Sequence, residues 1–208
     1  MKAIAPGFVF EDAVDPKAIT EKIERAGRTC YKSEGRIGDG SAEKFISSII
    51  SRGHESVLEH ASVTVRLICD RGVTHEIVRH RIAAYSQEST RYCNYSGDKF
   101  GNEITVIRPF FWKDEPEKYA VWERAMEACE KAYNDLIALG ASAQEARSVL
   151  PNSLKTELVM TMDIREWRHF LRLRTSSAAH PQMREIAIPL LEEFKRRLPV
   201  LFADIAVK

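Results

Sequence analysis

In the stretch from Ala61 to Cys69, apolar residues alternate with a second set that is polar except for Ile68. This alternation constrains the fold more than any other stretch of the chain. Apolar side chains recur at every second position, namely Ala61, Val63, Val65, Leu67 and Cys69. Because successive side chains of a β-strand point to opposite faces, the pattern predicts a strand with one buried face. Two further strands are predicted at Glu103–Arg108, which Pro109 closes, and at Thr156–Met162. The chain is therefore expected to fold around a sheet.

Helix signals fill most of the remaining chain. Helix starts are predicted at Asp15 followed by Pro16, at Ser41, at Thr74, at Asp114 with Glu117, at Ser142 with Glu145, and at Asp163 with Glu166. Predicted ends lie at Gly53, Gly140, Leu150 before Pro151, and Arg174, and a last helix begins at Pro181 and bends near Pro189. The sequence therefore predicts an α+β fold, mostly helical by residue count, with a small antiparallel or mixed sheet.

Length and charge narrow the class of protein. With 208 residues, of which 44% are hydrophobic, a single domain spanning residues 1–208 is the simplest expectation. Lys and Arg total 31 against 30 Asp and Glu, so the chain as a whole has no attraction to nucleic acid or to an anionic membrane. No apolar run approaches the roughly 20 residues that cross a bilayer, and no secretory pattern opens the sequence. We expect a cytoplasmic protein whose anion sites are local.

The cysteines and histidines do not follow a metal-binding pattern. The four cysteines are Cys30, Cys69, Cys93 and Cys129. They lack the paired spacing of a zinc site or a redox couple, so reduced and mostly structural thiols are expected. Two pairs of histidines lie close in sequence, His54 with His60 and His75 with His80. Neither pair has the i, i+4 spacing of helical ligands, and the arginines beside His80 would repel a cation, so we expect no metal. Cys93 stays open as a nucleophile, although no neighbouring residue visibly prepares a thiolate.

The densest group of polar side chains lies between Arg79 and Arg91. Arg79, His80 and Arg81 are followed after seven residues by Ser89, and Arg91 stands two positions further on. Guanidinium groups bind anionic oxygens in a bidentate manner and stack on planar rings, so this group suits an anionic ligand with planar rings. Neighbouring residues of the helix predicted from Thr74 would point about 100° apart. The first three residues would then serve different partners, which indicates a junction between ligands.

A second basic group surrounds His169. It contains Arg165, Arg168, Arg172 and Arg174, with only Glu166 opposing them. Positions 165, 168 or 169, and 172 share one face of the predicted helix. A solvated basic face and a partly buried one both stay open, because apolar residues interrupt the run at Trp167, Phe170 and Leu171. The polar turn from residue 54 to 60, between a helix end and a strand, is a further candidate binding segment.

Two functions from other classes compete with an enzyme site at this stage. The segment 79–95 interleaves arginines with Tyr85, Tyr92 and Tyr95, which is a pattern that a single-stranded nucleic-acid-binding module would use for stacking and phosphate contacts. Such modules usually carry a broader basic excess. A buried ion-pair network is the other alternative, but three guanidiniums packed against so few carboxylates would leave charge uncompensated.

The run Arg79-His80-Arg81 with Ser89 and Arg91 resembles the hallmark motif of the flavin-dependent thymidylate synthases. Further matching segments, in the right order, are His54-Glu55-Ser56 to Glu59-His60, Tyr85, Ala146-Arg147 to Leu150-Pro151, and Phe170-Leu171 through Leu173-Arg174 to His180. Several motifs in one order across nearly the whole chain are far more specific than the three-residue run alone.

The resemblance implies the fold of that family and a transferase of nucleotide biosynthesis, namely a methyltransferase that converts dUMP to dTMP. It implies methylenetetrahydrofolate as the carbon donor, tightly bound FAD as the cofactor of this flavoprotein, and NADPH as the reductant. It also implies a homotetramer with active sites at subunit interfaces. The family needs no cysteine nucleophile on the pyrimidine, which agrees with the unremarkable thiols of this chain.

Carried over by position, the resemblance implies three sets of site residues. FAD would contact Ser56, Arg79, His80, Arg81, Gln87, Asp163, Ile164, Arg165 and His169. The substrate dUMP would contact Glu76, Ile77, Val78, Arg79, Gln87, Glu88, Ser89, Thr90, Arg91, Arg147 and Arg174. Arg174 would be the catalytic residue, because a guanidinium facing the pyrimidine stabilises developing negative charge. The chain departs from the family pattern at Glu76, Gln87, Asp163 and His169.

Overall fold

The structure is a computed structural model that describes residues 1–207. In this range the α-helices are α1 (Pro16–Thr29), α2 (Ser41–Ser51), α3 (Arg71–Ile77), α4 (Pro116–Ala138), α5 (Ala143–Ala146), α6 (Ile164–Arg174), α7 (Pro181–Arg197) and α8 (Pro199–Phe202). The strands are β1 (Lys2–Ile4), β2 (Gly7–Phe10), β3 (Ser62–Asp70), β4 (Ala84–Gln87), β5 (Thr105–Ile107) and β6 (Lys155–Asp163). Short 3₁₀ helices occupy Glu34–Arg36, Glu55–His60, Asp98–Phe100, Phe110–Trp112 and Arg147–Val149.

Within residues 1–207 the strands form two small sheets. One has the strand order β2-β3-β6-β4, and the other pairs β1 with β5 in parallel, with Lys2 opposite Thr105. The start of β3 meets the end of β6, as the hydrogen bond from Ile164 N to Ala61 O at 2.9 Å records, so these two strands are antiparallel. Helices hold most of the ordered residues. The predicted α+β class, mostly helical with a small sheet, is confirmed.

The described chain divides into two compact units, each assembled from separate segments of the sequence. Unit 1 contains residues Met1–Gly7, Leu67–Arg79 and Tyr85–Val159, and unit 2 contains Phe8–Arg66, His80–Ala84 and the described residues from 160 onward. The single domain expected over residues 1–208 stays a prediction. Because the boundary falls between Arg79 and His80, each unit carries its own part of the motif.

The two long strands agree with the sequence pattern to within one residue at each end. In β3 the side chains of Val63, Val65, Leu67 and Cys69 are buried, as the alternation predicts. In β6 the buried set is Thr156, Leu158, Met160 and Met162. Burial on one face fixes the register, since a slip by one residue would move every apolar side chain to the other face. The three short strands β1, β2 and β4 were not predicted, because runs of three or four residues carry little periodicity.

Several helix starts follow from side-chain caps. Asp15 accepts hydrogen bonds from the backbone N–H groups of Lys17 and Ala18 at 2.9 and 3.1 Å, and Pro16 opens α1. The predicted capping box of Ser142 and Glu145 is present at α5. Asp163 accepts from Glu166 N at 2.9 Å and starts α6. These three predictions are confirmed.

Two predicted starts are wrong by one or two residues. Helix α2 is preceded by Gly40 at φ 65°, a left-handed conformation that glycine adopts without strain. Ser41 lies in the first turn instead, where its hydroxyl donates to Glu24 Oε2 at 2.7 Å. Helix α4 begins at Pro116 and not after Asp114, because the fixed φ of proline suits the first helical position. The helix ends predicted at Gly53 and Gly140 are confirmed, with φ of 71° and 92°.

Unit 2 has an aromatic core between α6 and α7. Trp167 and Phe194 have ring centroids 5.0 Å apart, and Phe194 and Phe202 have centroids 4.6 Å apart. The indole N–H of Trp167 donates to Val63 O at 2.9 Å, so the buried ring has a partner for its polar atom. This packing holds α6, which carries the second basic group, against β3. None of the helices in the described residues is long and apolar enough to span a membrane.

Candidate functional site

The motif that begins at Arg79 does not lie in a helix. Helix α3 starts earlier than predicted, because Asp70 Oδ1 accepts from Val73 N at 2.7 Å and caps it. Thr74 is therefore inside the helix, where its hydroxyl donates to Arg71 O at 2.9 Å. The helix ends at Ile77, before the motif. The predicted helix start at Thr74 and the helical spacing of the motif are both wrong.

The motif residues 79–81 follow the end of α3 and precede β4. The hydroxyl of Tyr85 donates to Ile77 O at 3.0 Å, which satisfies a carbonyl of the last helical turn and ties β4 to α3. Arg79 and Arg81 are exposed on either side of His80, which is buried with 7% exposure. Arg79 belongs to unit 1 and the other two to unit 2. The proposed junction between ligands stays a prediction.

In unit 1, residues 89–91 form a tight polar turn. The hydroxyl oxygen of Ser89 accepts from Arg91 N at 3.3 Å, and Ser89 O accepts from Cys93 N at 3.0 Å. The neighbouring hydroxyl of Thr90 is almost fully buried and accepts from Arg147 Nη1 at 3.5 Å. Arg91 Nη2 reaches Gln144 Oε1 at the same distance. The structure thus brings hydroxyl and guanidinium groups from two sequence segments, 89–91 and 144–147, to one place.

Three arginines of unit 1, two of them at this turn, are not neutralised. Arg79, Arg91 and Arg147 are exposed, and in the part of the chain that the structure describes none of the three forms an ion pair with a carboxylate. An unpaired guanidinium offers up to five N–H donors in a planar fork, which matches the oxygens of a phosphate. This part of unit 1 is therefore suited to an anion.

The other predicted substrate contacts in unit 1 have different surroundings. Gln87 Nε2 donates to Thr74 Oγ1 at 3.1 Å and to Thr156 Oγ1 at 3.3 Å. The Ile77 side chain is fully buried, so only its backbone is available to a ligand. Val78 is partly exposed, and Glu76 is half-buried. The predicted contact of Ile77 with the substrate stays a prediction, and it would involve the backbone of this residue.

Glu88 is held by partners that the sequence did not suggest. Its Oε1 accepts from Tyr95 OH at 2.8 Å, and its Oε2 accepts from Lys155 Nζ at 3.0 Å. Burial and the neighbouring Glu88 carboxylate raise the pKa of Tyr95 well above its ordinary value. Lys155 lies 67 positions further along the chain, on β6, so nothing in the local sequence pairs it with Glu88.

In unit 2, His80 lies beside the end of α6. Its Nε2 accepts a hydrogen bond from Arg174 Nε at 3.0 Å. Its ring packs edge-on against Phe170, with centroids 4.9 Å apart, and against His169 at 5.6 Å. The structure thus brings together three predicted site residues from two distant motifs, namely His80, His169 and Arg174.

The environment of His80 fixes its protonation. Burial, then the positive charge of Arg174 and the neighbouring His169, lower the pKa of His80 to about 4. The imidazole is therefore neutral near pH 7. Because Nε2 accepts from Arg174, the ring proton lies on Nδ1. His80 acts in this geometry as an acceptor that orients a guanidinium.

The segment Glu55–His60 supplies the remaining polar groups of unit 2. Ser56 is exposed at its start, and Glu59 forms an ion pair with Arg165 on α6. Asp163 caps α6, while the Ile164 side chain is fully buried, so this residue offers only its backbone to a ligand. Arg81 and His169 are exposed.

Arg168 is not part of a solvated basic face. Its side chain is fully buried and binds Asp204 through two nitrogens, each at 2.7 Å, and Glu55 Oε1 at 3.1 Å. Arg172 is 44% exposed and joins the same carboxylates. The solvated interpretation is therefore wrong for Arg168 and holds in part for Arg172. No local signal could have identified Glu55 and Asp204, because both are far from Arg168 in sequence.

The thiols offer no visible nucleophile. The four cysteines are free. Burial raises the pKa of Cys93, and the Glu88 carboxylate raises it further, so the thiolate is disfavoured. Among residues 1–207 no group of three or more His, Cys, Asp or Glu side chains is arranged to hold a metal ion.

Comparison with known proteins identifies the family. Residues 15–200 match the sequence profile of a family described as thymidylate synthase complementing protein. The flavin-dependent thymidylate synthase of Geobacter sulfurreducens is 38% identical over 203 residues, covering 94% of this chain and 84% of that protein. The enzyme of the same name from Pyrococcus furiosus is 38% identical over 172 residues, covering 82% of this chain and 70% of that protein. That from Mycolicibacterium gilvum is 36% identical over 203 residues, covering 89% and 79%.

A solved structure has the same fold. The UMP/dUMP methylase PolB from Streptomyces cacaoi, bound with 5-Br dUMP, superposes with a TM-score of 0.79 over 98% of this chain and 96% of that chain, at 22% identity. The comparisons lend no support to the nucleic-acid-binding alternative. The resemblance seen in the motifs is confirmed, and with it the predicted class of enzyme. The profile match and the relatives above 35% identity establish that this chain belongs to the family of flavin-dependent thymidylate synthases.

Proposed function

We propose that this chain methylates dUMP to dTMP, with methylenetetrahydrofolate as the carbon donor, bound FAD as the cofactor and NADPH as the reductant. Membership of the family supports this activity and its cofactors. The observation in the structure that carries the proposal is the pair of unneutralised guanidiniums, Arg91 and Arg147, beside the hydroxyls of Ser89 and Thr90. A nucleotide monophosphate needs this combination of donors.

In unit 1 the proposed role is to hold the substrate by its phosphate. Arg91 and Arg147 supply bidentate N–H donors, and the Ser89 hydroxyl supplies a further donor. Their contacts to Gln144 and Thr90 are long, at 3.5 Å, so a phosphate would displace little when it binds. Ser89 acts as a binding hydroxyl and not as a nucleophile, because its oxygen already accepts from Arg91 N and the described residues place no base beside it.

In unit 2 the proposed role of Arg174 is to activate the pyrimidine. Carbon 5 of uracil becomes nucleophilic when negative charge on the ring is stabilised. A guanidinium stays protonated, so Arg174 contributes electrostatically and not as a base. Neutral His80 accepts from Arg174 Nε and orients the side chain. Fixing the donor in advance of the reaction lowers the cost of reorganisation in the transition state.

The donor set of unit 2 fits FAD. The group carries an anionic diphosphate and a flavin ring with carbonyl and nitrogen acceptors, and FAD supplies the hydride chemistry of the reaction when bound. Exposed Arg81 and His169 offer donors, Ser56 adds a hydroxyl, and the guanidinium of Arg165 lies at the start of α6. These side chains and the backbone near Asp163 and Ile164 are the FAD contacts proposed for unit 2, while the contacts of Arg79 and Gln87 stay predictions from the resemblance.

A homotetramer in the cytoplasm is part of the same proposal. The family's shared interfaces support the tetramer, and the use of NADPH and a nucleotide monophosphate supports a cytoplasmic location.

Anaerobic incubation of the purified protein with dUMP, NADPH and methylenetetrahydrofolate tests the activity itself. We expect a yellow protein that forms dTMP only when all three partners are present, and a colourless protein without product formation would contradict the proposal.

Mixing two inactive variants tests the shared site. If each site combines Arg79 of one subunit with Arg174 of another, then mixing Arg79→Ala and Arg174→Ala chains should restore some turnover through sites that contain neither substitution. Subunit exchange is first verified by native mass spectrometry of chains that differ in mass. Mixed tetramers without recovered turnover would show that each chain supplies both residues to its own site.

A further inference from the structure

Both oxygens of the Glu88 carboxylate have hydrogen-bond partners inside unit 1. Its two oxygens accept from the Tyr95 hydroxyl and from Lys155 Nζ, at 2.8 and 3.0 Å. The Glu88 side chain is 14% exposed and that of Lys155 is 21% exposed. Glu88 belongs to the set carried over as contacts of dUMP, but both of its oxygens are held by the Tyr95 hydroxyl and the Lys155 ammonium, and the carboxylate has the same sign of charge as a phosphate. This geometry argues for a role other than direct contact.

Lys155 balances the charge of this cluster. Its ammonium lies between Glu88 and Glu157, with the Glu157 Oε1 distance at 2.7 Å. Burial pulls the pKa of Lys155 down, but its hydrogen bonds with Glu157 and Glu88 outweigh burial and raise it. The lysine therefore stays charged at any working pH. Without it, two partly buried carboxylates would face each other without a cation between them.

The cluster connects directly to the turn that is proposed to hold the phosphate. Glu88 N donates to Glu157 O at 2.9 Å, so the backbone before Ser89 is fastened to β6 at the same place as the side chain. Ser89 follows Glu88 without a spacer, and Arg91 lies two residues further. A negative charge on Glu88 that no cation offsets would repel a phosphate held by these residues.

We infer that Lys155 is a positioning residue for the substrate phosphate, because it neutralises Glu88 and fixes that side chain, so that Ser89 and Arg91 meet the phosphate without a competing negative charge. Tyr95 completes the arrangement by holding the second oxygen of Glu88. This inference rests on the proposed binding of dUMP. It concerns affinity for the phosphate group and not the chemistry at the pyrimidine.

Binding of dUMP and of deoxyuridine to the FAD-loaded protein tests the role of Lys155. Lys155→Met keeps a chain of similar length without charge, and we expect it to raise the Kd for dUMP about tenfold, the equivalent of one lost charged interaction. The Kd for deoxyuridine, which lacks the phosphate, should change little. The kcat at saturating dUMP and the reduction of flavin by NADPH without dUMP should stay near the wild-type values. Lys131→Met is the matched control, because Lys131 forms an exposed ion pair with Asp135 on α4 in the same unit.

A second substitution separates charge from shape. In the Lys155→Met background, Glu88→Gln removes the uncompensated carboxylate, and we expect it to recover most of the lost affinity for dUMP. Tyr95→Phe keeps its ring against Phe100 and Tyr133, and gives an independent test if Lys155→Met does not fold, since it should also raise the Kd for dUMP. An unchanged Kd in the folded variant, or a double variant as weak as Lys155→Met, would overturn the inference. A wild-type protein that does not bind dUMP would instead overturn the proposed function.

Discussion

Arg174→Ala is expected to lower kcat at saturating dUMP by about 10²- to 10³-fold, the loss typical of removing one donor that stabilises developing charge. The reason is that carbon 5 of uracil reacts only when negative charge builds up on the ring, and Arg174 is the guanidinium proposed to face it. Steady-state turnover of dUMP, measured at increasing dUMP concentrations, gives kcat separately from KM.

Arg174→Lys should remain impaired, although it keeps the charge. The guanidinium is a planar fork whose Nε–H donates to His80 Nε2 at 3.0 Å, and a lysine has neither the fork nor this nitrogen. The lysine side chain is shorter and its ammonium rotates freely, so the positive charge would not be held at the position of the guanidinium. Small displacements of a catalytic group lower the rate.

Flavin reduction by NADPH, followed without methyl transfer, is the control reaction for both variants. It does not involve the pyrimidine, so it should be largely spared. If Arg174 only bound substrate, for example at the phosphate, then KM would rise while kcat stayed near the wild-type value. Near-normal kcat in Arg174→Ala at saturating dUMP would therefore refute its role in activation.

The sequence was sufficient for the two long strands and for several helix starts because their signals are local. The alternation in β3 and β6 and the caps Asp15 and Asp163 each depend on a few neighbouring residues, and all were confirmed. The conformation of the motif was not predictable in the same way. Asp70 competes with Thr74 as the cap of α3, and the hydrogen bond of Tyr85 to Ile77 O joins residues from two elements. Propensity alone cannot rank two possible caps four residues apart.

The types of the site residues were predictable, but their partners were not. Arg91, Arg147 and Arg174 could be named because they stand in the motifs that resemble the family, and because guanidinium groups suit an anionic substrate. The contacts that orient such residues join positions far apart in sequence, as in the 94-residue separation between His80 and Arg174. Which side chains meet across such distances depends on tertiary packing. The same reasoning explains why Lys155 was missed as the partner of Glu88.

Arg168 provides the largest expected effect on stability. Its buried guanidinium binds both oxygens of Asp204, one oxygen of Glu55 and the carbonyl of Leu201, so it joins α6 to the start of the 3₁₀ helix Glu55–His60 and to the residues after α8. Removing one partner of a buried ion pair costs about 3–5 kcal/mol. Because Asp204 is 42% exposed and water can rehydrate it, we expect Arg168→Ala to lower the free energy of unfolding by about 3 kcal/mol. Urea unfolding measures this difference.

The decrease in unfolding free energy caused by Arg168→Ala should depend on pH, because the Asp204 carboxyl titrates in acid. Burial alone would raise the pKa of Asp204, but hydrogen bonds and the charges of Arg168 and Arg172 outweigh burial and lower it. A carboxyl with a lowered pKa in the folded state contributes stability above its ordinary pKa of 3.8, and this contribution disappears as the pH falls through the lower folded value. The difference in unfolding free energy between wild type and Arg168→Ala should therefore be full near pH 7 and narrow below about pH 4.

Arg196→Ala is the matched control for this experiment. Arg196 is an exposed arginine on α7 of the same unit and pairs with Glu193 at the surface, where solvent screens the interaction. Its removal should leave the urea midpoint nearly unchanged.

The Glu55–His60 segment carries Ser56, so Arg168→Ala should also weaken retention of FAD, because the segment loses the contact that fixes Glu55. An Arg168→Ala protein with the wild-type midpoint at pH 7, or with a difference that does not narrow in acid, would contradict the role of this buried ion pair in holding unit 2 together.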